Sequence, residues 1–472
     1  MLAHTLLDTA IEGTSYYKVS QYHKVLASLY QKYGPLVRQD FGSNPVVHVF
    51  EPDDIKTVYM SEGTMPRVVP LQETVQVFRE QNKLSPGLGN TNGEEWYKLR
   101  SAIRKMILRP KEVHYYLPFV NSVAIDFVNH INKKKNSEGV VNGLKDEVAK
   151  WSQESAGMVC FEERLGCMDD GPNELNAQKM VDANRLIFEI SRQLKFSLPI
   201  YKYISTPKWR QLKEAEEFVY STTVSYVNTT ITKLQNGLSN NKYTFMTHLL
   251  GREELSRNDV IVLTLSLFAD GLSTTVPVLL YNLYCLATNP EAQNKAYNEI
   301  SYATRKGEEI SSEILNSFSY LKAIIKETFR LFPNGTEVSR IIQKDLVLSG
   351  YQVPAGTHVH MTPNVQFCSE KFFTNPLSFS PERWLRHGET DTIHPYLLTP
   401  FSHGARTCAV KETDCSVKGI PSVALDSDHK WRGDGNVGEM LENKKEECGG
   451  LKNEERKEDE CPRMRLTGAA KE

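Results

Sequence analysis

The sequence predicts a mainly α-helical protein with a small β region, an α+β fold class. Two observations support this. Up to residue 331, most of the chain places apolar residues at helical spacing in long segments. Short runs rich in Val, Thr and Gly occur within 36–50 and 335–362 and predict strands. We expect one large domain over residues 1–409 and a separate charged tail over residues 410–472.

The helices follow in order from apolar residues at positions i, i+3 and i+4. The first stops at Gly34-Pro35, a pair that terminates helices. The longest begins with a capping pattern, Ser256 and Asp259, and its polar break at 270–275 interrupts a very apolar stretch. A helix this apolar should be buried. The predicted helical segments are 17–33, 93–107, 113–135, 142–163, 174–195, 207–235, 256–288, one opening at Pro290, and 318–331.

Strands are predicted in two places. The apolar runs 36–38 and 45–50 are split by Gly42-Ser43-Asn44, which predicts a hairpin. Residues 335–362 alternate short apolar runs with Gly and Pro, which predicts short strands. Residues 363–407 contain five prolines and are typical of loops.

Composition excludes several classes of protein. The 56 Lys and Arg are balanced by 58 Asp and Glu, whereas a nucleic-acid binder usually has a basic excess. Eight cysteines in 472 residues are too few for a disulfide scaffold. The first 30 residues lack the roughly 20 apolar residues of a membrane span and the Arg-rich character of a transit peptide. We expect a cytosolic chain or one without its natural N-terminus.

The composition changes near residue 410. Residues 410–472 contain 12 Lys or Arg and 15 Asp or Glu, and no helical or strand periodicity is visible. Such a segment buries too little apolar area to offset the entropy of ordering. We therefore expect a disordered tail.

Five segments contain residue types that chemistry uses. Cys408 ends a loop with Gly404 and Arg406, where backbone N–H groups and a cation could hold a thiolate metal ligand. Taken alone, a buried free cysteine is the stronger interpretation. Glu327 and Arg330, at i and i+3, can pair on one helix face, although most such pairs are solvated surface contacts. The other three segments are 96–100, 269–275 and 379–384.

In this order and spacing, the five segments resemble the cytochrome P450 family of haem-thiolate monooxygenases, over roughly residues 17–409. Residues 319–327 are similar to the mitochondrial group, in which lysines such as Lys322 and Lys326 dock an acidic ferredoxin; the alternative is a solvated face. The resemblance implies the P450 fold and haem b. It also implies insertion of one oxygen atom of O₂ into a small apolar, steroid- or lipid-like substrate.

The same resemblance implies partners and a place in the cell. Electrons would come from NADPH through a reductase and a ferredoxin. The location would be the matrix side of the mitochondrial inner membrane, with a peripheral membrane contact and no nucleic acid. It also assigns residues to three roles. These are the axial thiolate Cys408, the propionate-binding Trp96, Arg100, Arg340 and Arg406, and a buried structural group of Glu327, Arg330 and Arg383.

The polar break 269–275 matches the oxygen-activation site of the family. Thr274 matches the hydroxyl that relays protons, work of the general-acid type. The family usually has an acid just before that Thr, but this chain has Ser273. Asp270, one turn earlier, would supply the acid; the alternative is a local hydrogen bond at a helix distortion.

The resemblance ends at Ala409. The glycine expected two residues after the cysteine is Val410, and the proximal helix and following strands are replaced by the charged tail. The N-terminus also lacks the usual Pro-rich entry, so both ends look incomplete. Three interpretations stay open. The chain is a monooxygenase, a truncated or mis-spliced inactive isoform that does not retain haem, or a haem enzyme that rearranges its substrate without activating O₂.

Overall fold

The computed structural model is mainly α-helical with small sheets, as the sequence predicts. It describes residues 2–3, 21–41, 44–107, 114–169, 176–195, 197–236, 244–269, 271–304, 310–385, 393–409, 429–433 and 464–468. The helices in these ranges are α1 Tyr22–Tyr33, α2 Pro52–Ser61, α3 Glu73–Gln81, α4 Gly93–Ile107, α5 Leu117–Lys134, α6 Leu144–Phe161, α7 Ala177–Lys195, α8 Pro207–Gln235, α9 Thr244–Leu250, α10 Arg257–Phe268, α11 Gly271–Thr288, α12 Pro290–Ala303, α13 Ser312–Ser317 and α14 Ser319–Leu331.

The strands form one larger sheet and two strand pairs. Their bounds are β1 Leu2–Ala3, β2 Leu36–Phe41, β3 Asn44–Val49, β4 Val338–Ile341, β5 Leu346–Leu348, β6 Tyr351–Val353, β7 His358–Met361, β8 His429–Gly433 and β9 Met464–Gly468. The larger sheet has the order β1-β2-β3-β7-β4. β2 and β3 form the predicted antiparallel hairpin, and β3 then pairs in parallel with β7. The two predicted β regions therefore share the larger sheet, while β5 and β6 of the second region form a separate pair.

The helix ends follow local chemistry. Ser256 accepts from the Asp259 backbone N–H, and the Asp259 carboxylate accepts from the Ser256 N–H, which completes the predicted capping box of α10. Thr206 caps α8, whose first residue is Pro207, a preferred first position. The Gly34 N–H bonds to the Tyr30 carbonyl, and the chain turns there at a φ of 91°. These signals are local, so the sequence predicts them well.

The main core lies between α4, α6 and the α10–α11 region, where the largest fully buried side chains include Trp151, Phe161 and Phe268. By length and composition Arg257–Thr288 could span a membrane, but 65% of its most apolar window is buried inside the protein. Soluble core helices share these properties. The predicted burial of the longest helix is thus confirmed.

The charged tail contains one feature that the sequence does not predict. Strands β8 and β9 pair antiparallel, with Trp431 opposite Leu466. β8 also lies close to α11. The expectation of a tail without strands is therefore corrected for these ten residues, because pairing between distant strands leaves little local periodicity. No helix follows Ala409 in the part of the tail that the structure describes.

Candidate active site

A cavity of about 480 Å³ lies where the predicted site residues converge. Its walls come from α4, α6, α10 and α11, the start of β4 and the Cys408 loop. The lining is largely apolar, with Leu263, Val278 and Phe329 among its residues. The site residues predicted from the sequence that line this cavity are Trp96, Arg100, Thr274, Arg340, Arg406 and Cys408.

Cys408 is presented by a tight loop. The Cys408 N–H donates to the Phe401 carbonyl at 2.8 Å, and the Thr407 hydroxyl donates to the same carbonyl at 3.1 Å. Phe401 in turn packs edge-on against Phe329 of α14, with ring centroids 5.4 Å apart. Cys408 is partly exposed and lines the cavity, whereas a structural cysteine would be fully buried. The geometry therefore places its thiol where a ligand in the cavity can reach it.

Gly404 is required in this loop for two reasons. Its φ of 74° is a left-handed conformation that side chains disfavour, and an added Cβ would approach Glu62 Oε2 at 3.0 Å. Gly404 therefore allows both the turn of the loop and the close approach of Glu62, which follows α2. Glu62 itself was not anticipated from the sequence.

Three guanidinium groups border the same end of the cavity. Arg406 donates to the Pro66 and Thr91 carbonyls at 3.0 and 2.8 Å, and its guanidinium lies 4.0 Å from the centre of the Trp96 ring. Arg100 donates to the Thr407 carbonyl at 2.6 Å, next to the cysteine. Backbone carbonyls thus help to fix Arg406 and Arg100 in place.

Arg340 holds the third position. It pairs with the Glu62 carboxylate and donates to Ser402 Oγ at 3.0 Å. Glu62 is the one carboxylate that the described residues place on this arginine. Burial raises the pKa of the Glu62 carboxyl, although Arg340 opposes that effect.

The crowded cations favour an anionic ligand. Burial, together with the charges of Arg340 and Arg100, lowers the pKa of Arg406 to about 9. Burial also lowers the pKa of Arg100 to about 10. A second carboxylate near these groups would relieve the repulsion, and the guanidinium fork matches carboxylates well. Three arginines at one end and a cysteine in the same cavity therefore fit haem, whose two propionates are anionic and whose iron takes an axial ligand.

The polar break separates α10 from α11. The Ala269 carbonyl, at the end of α10, accepts from Asn184 Nδ2 at 2.9 Å. The Ser273 hydroxyl donates to Asn184 Oδ1, so it is engaged with α7. Asn184 lies in the middle of a predicted helix and had no distinguishing sequence signal. Asn184 thus contacts residues on both sides of the helix break.

Thr274 lies on the cavity side of the break. It is exposed to the cavity, and its carbonyl accepts from Asn334 Nδ2 at 3.0 Å. Asp270, the predicted acid, lies outside the described residues. The carboxylate that does line the cavity, among the described residues, is Glu337.

Glu327 is the centre of a fully buried network. It accepts from Arg330 at 2.6 and 2.9 Å, from Arg383 Nε at 3.1 Å and from Trp384 Nε1 at 2.9 Å. The side chains of Glu327 and Arg330 are 0% exposed. Arg330 also donates to the Phe367, Pro376 and Ser378 carbonyls. The pair is thus a buried structural group and not the solvated contact that its spacing alone would favour.

Lys322 and Lys326 are both exposed on α14. Lys322 Nζ donates to the Asn316 carbonyl at 2.6 Å, and Lys326 Nζ lies 5.7 Å from the centre of the Trp384 ring. The two lysines are one turn apart and share an exposed face of α14. The geometry leaves both ammonium groups accessible to a partner.

Comparison with known proteins gives consistent matches. The family model described as Cytochrome P450 matches residues 13–409. The chain is 42% identical to "Probable cytochrome P450 CYP44" of Caenorhabditis elegans over 395 residues, which covers 83% of this chain and 78% of that protein. It is 30% identical to "Probable cytochrome P450 12d1 proximal, mitochondrial" of Drosophila melanogaster, covering 79% and 73%. It is 29% identical to "Cytochrome P450 11B, mitochondrial" of Aquarana catesbeiana, covering 82% and 74%.

Proposed function

The chain belongs to the cytochrome P450 family, and on that premise we propose that it is a haem-thiolate monooxygenase acting on an apolar, steroid- or lipid-like substrate. The observation that carries this is one cavity shared by Cys408, Thr274 and three arginines. Family membership implies haem with a cysteine thiolate on the iron. Bound there, haem supplies the reductive activation of O₂.

The residues of the chain divide the work. Cys408 would hold the iron, while Trp96, Arg100, Arg340 and Arg406 would hold the propionates. The apolar walls of α6, α10 and α11 would exclude water and orient the substrate. The direct test is turnover with a panel of steroids, secosteroids and fatty acids, using NADPH, a reductase and a ferredoxin. Oxygenated product that depends on all three partners is expected. The absence of product from every class would contradict the proposal.

Thr274 is proposed to relay protons across the cavity. It is the exposed one of the two threonines that line the cavity just after the helix break, and proton transfer by such groups contributes about 10²–10⁴-fold to rates. We expect Thr274→Ala to lower product formed per NADPH by about tenfold and to raise hydrogen peroxide release. Thr264→Ala is the matched control, since its hydroxyl is buried in α10, bonds to the Val260 carbonyl and does not line the cavity. An unchanged product yield in Thr274→Ala would remove this role.

Lys322 and Lys326 are proposed to dock the ferredoxin. Relatives whose names place them in mitochondria support this kind of donor. We expect Lys322→Glu with Lys326→Glu to raise the KM for ferredoxin about tenfold, because reversed rim charges slow association. The difference should shrink at high salt. Lys344→Glu, another exposed lysine, makes the same kind of charge change elsewhere and should leave KM unchanged.

A peripheral membrane contact on the matrix side of the mitochondrial inner membrane is proposed for the segment after α7. Leu198, Tyr203 and Ile204 are exposed apolar side chains there, and Lys202 pairs with Glu73, beside exposed Leu71. Leu71 also lines the cavity, so the patch borders the route by which an apolar substrate would enter.

Vesicle binding tests that contact. Ile204→Asp should lower partition onto anionic vesicles about thirtyfold, since burying an isoleucine contributes about 2 kcal/mol. Tyr302→Asp, at an exposed aromatic elsewhere, is the control and should bind as the unmodified chain does. Equal loss in both variants would mean that no particular patch is used.

The second candidate is an isoform that does not retain haem. The supporting observation is that Val410 replaces the expected glycine and that no helix follows Ala409 among the described tail residues. Haem content of the purified chain separates it from the first candidate.

A further inference from the structure

Two histidines and a glutamate meet on the larger sheet, beside the cavity. His48 of β3 lies directly opposite His360 of the parallel neighbour β7, and Glu337 immediately precedes β4 on the other side of β7. One potential ligand atom from each residue lies within 4.8 Å of the others. His48 is 0% and His360 8% exposed. Sheet pairing, not chance surface proximity, therefore brings the three groups together.

The hydrogen bonds around His48 leave a ring nitrogen available. His48 Nε2 lies 3.0 Å from Gln39 Oε1, and because an amide oxygen can only accept, Nε2 carries the proton. Nδ1 is then a lone-pair donor, and within the described residues it is buried without a hydrogen-bond partner. Metal-binding histidines commonly donate their other N–H to such an oxygen. A buried nitrogen of this kind otherwise carries an uncompensated desolvation cost.

His360 and Glu337 complete the set. His360 Nδ1 lies in contact with Glu337 Oε2 at 2.8 Å, and among the described residues Nδ1 has no other partner. Tyr22 donates to the same oxygen at 3.1 Å. The ring nitrogen and the carboxylate oxygen therefore already lie next to each other, beside His48.

Lys195 is the group that opposes a cation. Its Nζ donates to Glu337 Oε1 at 2.9 Å, so Oε2 remains directed to the histidines. The Lys195 side chain is 54% exposed and can turn to solvent when a cation takes the carboxylate. The positive charge of Lys195 therefore lowers the affinity of the site for a cation but does not prevent binding.

We propose that His48, His360 and Glu337 bind one divalent transition-metal ion of the Zn²⁺ type. Two imidazoles and one carboxylate, with a fourth position left to water, form a common zinc ligand set. Zinc bonds to these atoms are about 2.0–2.1 Å, so tetrahedral ligands lie about 3.4 Å apart. Small side-chain rotations would bring the three ligand atoms, now within 4.8 Å of one another, to this spacing. Because Glu337 also lines the cavity and precedes the strand of Arg340, the ion would brace that wall.

The test measures zinc on the purified full chain, made with a histidine-free tag. After dialysis against a chelator, zinc is returned in a buffered series and counted by mass spectrometry, separately from iron. We expect one zinc per chain and a higher melting temperature with zinc. His48→Gln and His360→Gln should each lower the affinity by about a hundredfold. Gln39→Leu, which keeps every ligand, should lower it about tenfold.

His358→Gln is the matched control. His358 lies on β7 two residues from His360, with ring centroids 4.5 Å apart, but it is outside the proposed ligand set and bonds to Ser339. It should bind zinc as the unmodified chain does. Equal binding in all variants, or no zinc at micromolar free metal, would overturn the proposal. Should the ligand variants misfold, X-ray absorption of the unmodified zinc-loaded chain decides, since a ligand shell without two imidazoles also overturns it.

Discussion

Replacing Cys408 with Ser is expected to abolish the red-shifted Soret band that the reduced, carbon-monoxide-treated chain should show. Cys408 lines the cavity beside the three arginines, and Arg100 donates to the carbonyl of its neighbour Thr407. A serine hydroxyl is a poor ligand for haem iron, while a thiolate gives the iron its unusual electronic properties. The loss should be complete, because no protein group near Cys408 in the described cavity wall offers a second thiolate.

The control is chosen from the same residue type. Cys160 also lines the cavity, yet it is a fully buried thiol of α6, and burial raises its pKa strongly. Cys160→Ser should therefore keep the red-shifted band. If Cys408→Ser keeps it as well, Cys408 is not the ligand. If the unmodified chain itself takes up no haem, the second candidate, an isoform that does not retain haem, is supported instead.

The contacts of Arg406 within the protein are relevant to haem binding. Arg406 is held by the Pro66 and Thr91 carbonyls and by the Trp96 ring, so its position does not depend on a ligand. Such a preorganised cation loses little side-chain entropy on binding an anion. The proposed propionate-binding role of Arg406 would therefore need little rearrangement of its side chain.

The sequence could predict whatever depends on neighbours along the chain. The helix over 93–107, the capping box at Ser256 and the pair Glu327–Arg330 all rest on contacts within four residues, and all are present. Even the break at 269–271 was visible as small polar residues in an apolar helix. Local spacing carries these features because helix geometry fixes which residues are adjacent.

Contacts between distant segments could not be predicted in this way. Glu62 meets Arg340 across 278 residues, and Asn184 meets Ser273 across 89. Each of these side chains is ordinary in its own segment. The His48–His360 pair likewise depends on the parallel register of β3 and β7, which one sequence does not determine. Positions that complete a site therefore escape sequence reasoning when their partner lies on another element.

Replacing Glu327 with Gln is expected to destabilise the chain by about 3–5 kcal/mol, because it leaves two buried guanidinium groups without their carboxylate. Arg330 and Arg383 both lose an ionic partner, and neither side chain is more than 5% exposed. Total stabilities are about 5–15 kcal/mol, so the change removes a large share. The urea midpoint of unfolding, followed by circular dichroism, measures it.

Glu299→Gln is the matched control. The Glu299 carboxylate also accepts several hydrogen bonds, from the backbone of Ser319, Tyr320 and Leu321, but it is only partly buried and has no arginine partner among the described ion pairs. Its loss should cost about 1 kcal/mol, as for other helix caps. Equal shifts for the two variants would mean that burial of the Glu327 network does not matter.

Arg330→Lys separates charge from geometry. Arg330 makes five hydrogen bonds, two to Glu327 and three to the Phe367, Pro376 and Ser378 carbonyls. A lysine keeps the charge but has only three donors, so buried acceptors lose their partners. We expect Arg330→Lys to be nearly as destabilising as Glu327→Gln; a mild effect would show that charge alone matters. Because Phe329 packs on Phe401 of the cysteine loop, both variants should also release haem at a lower temperature, in step with unfolding.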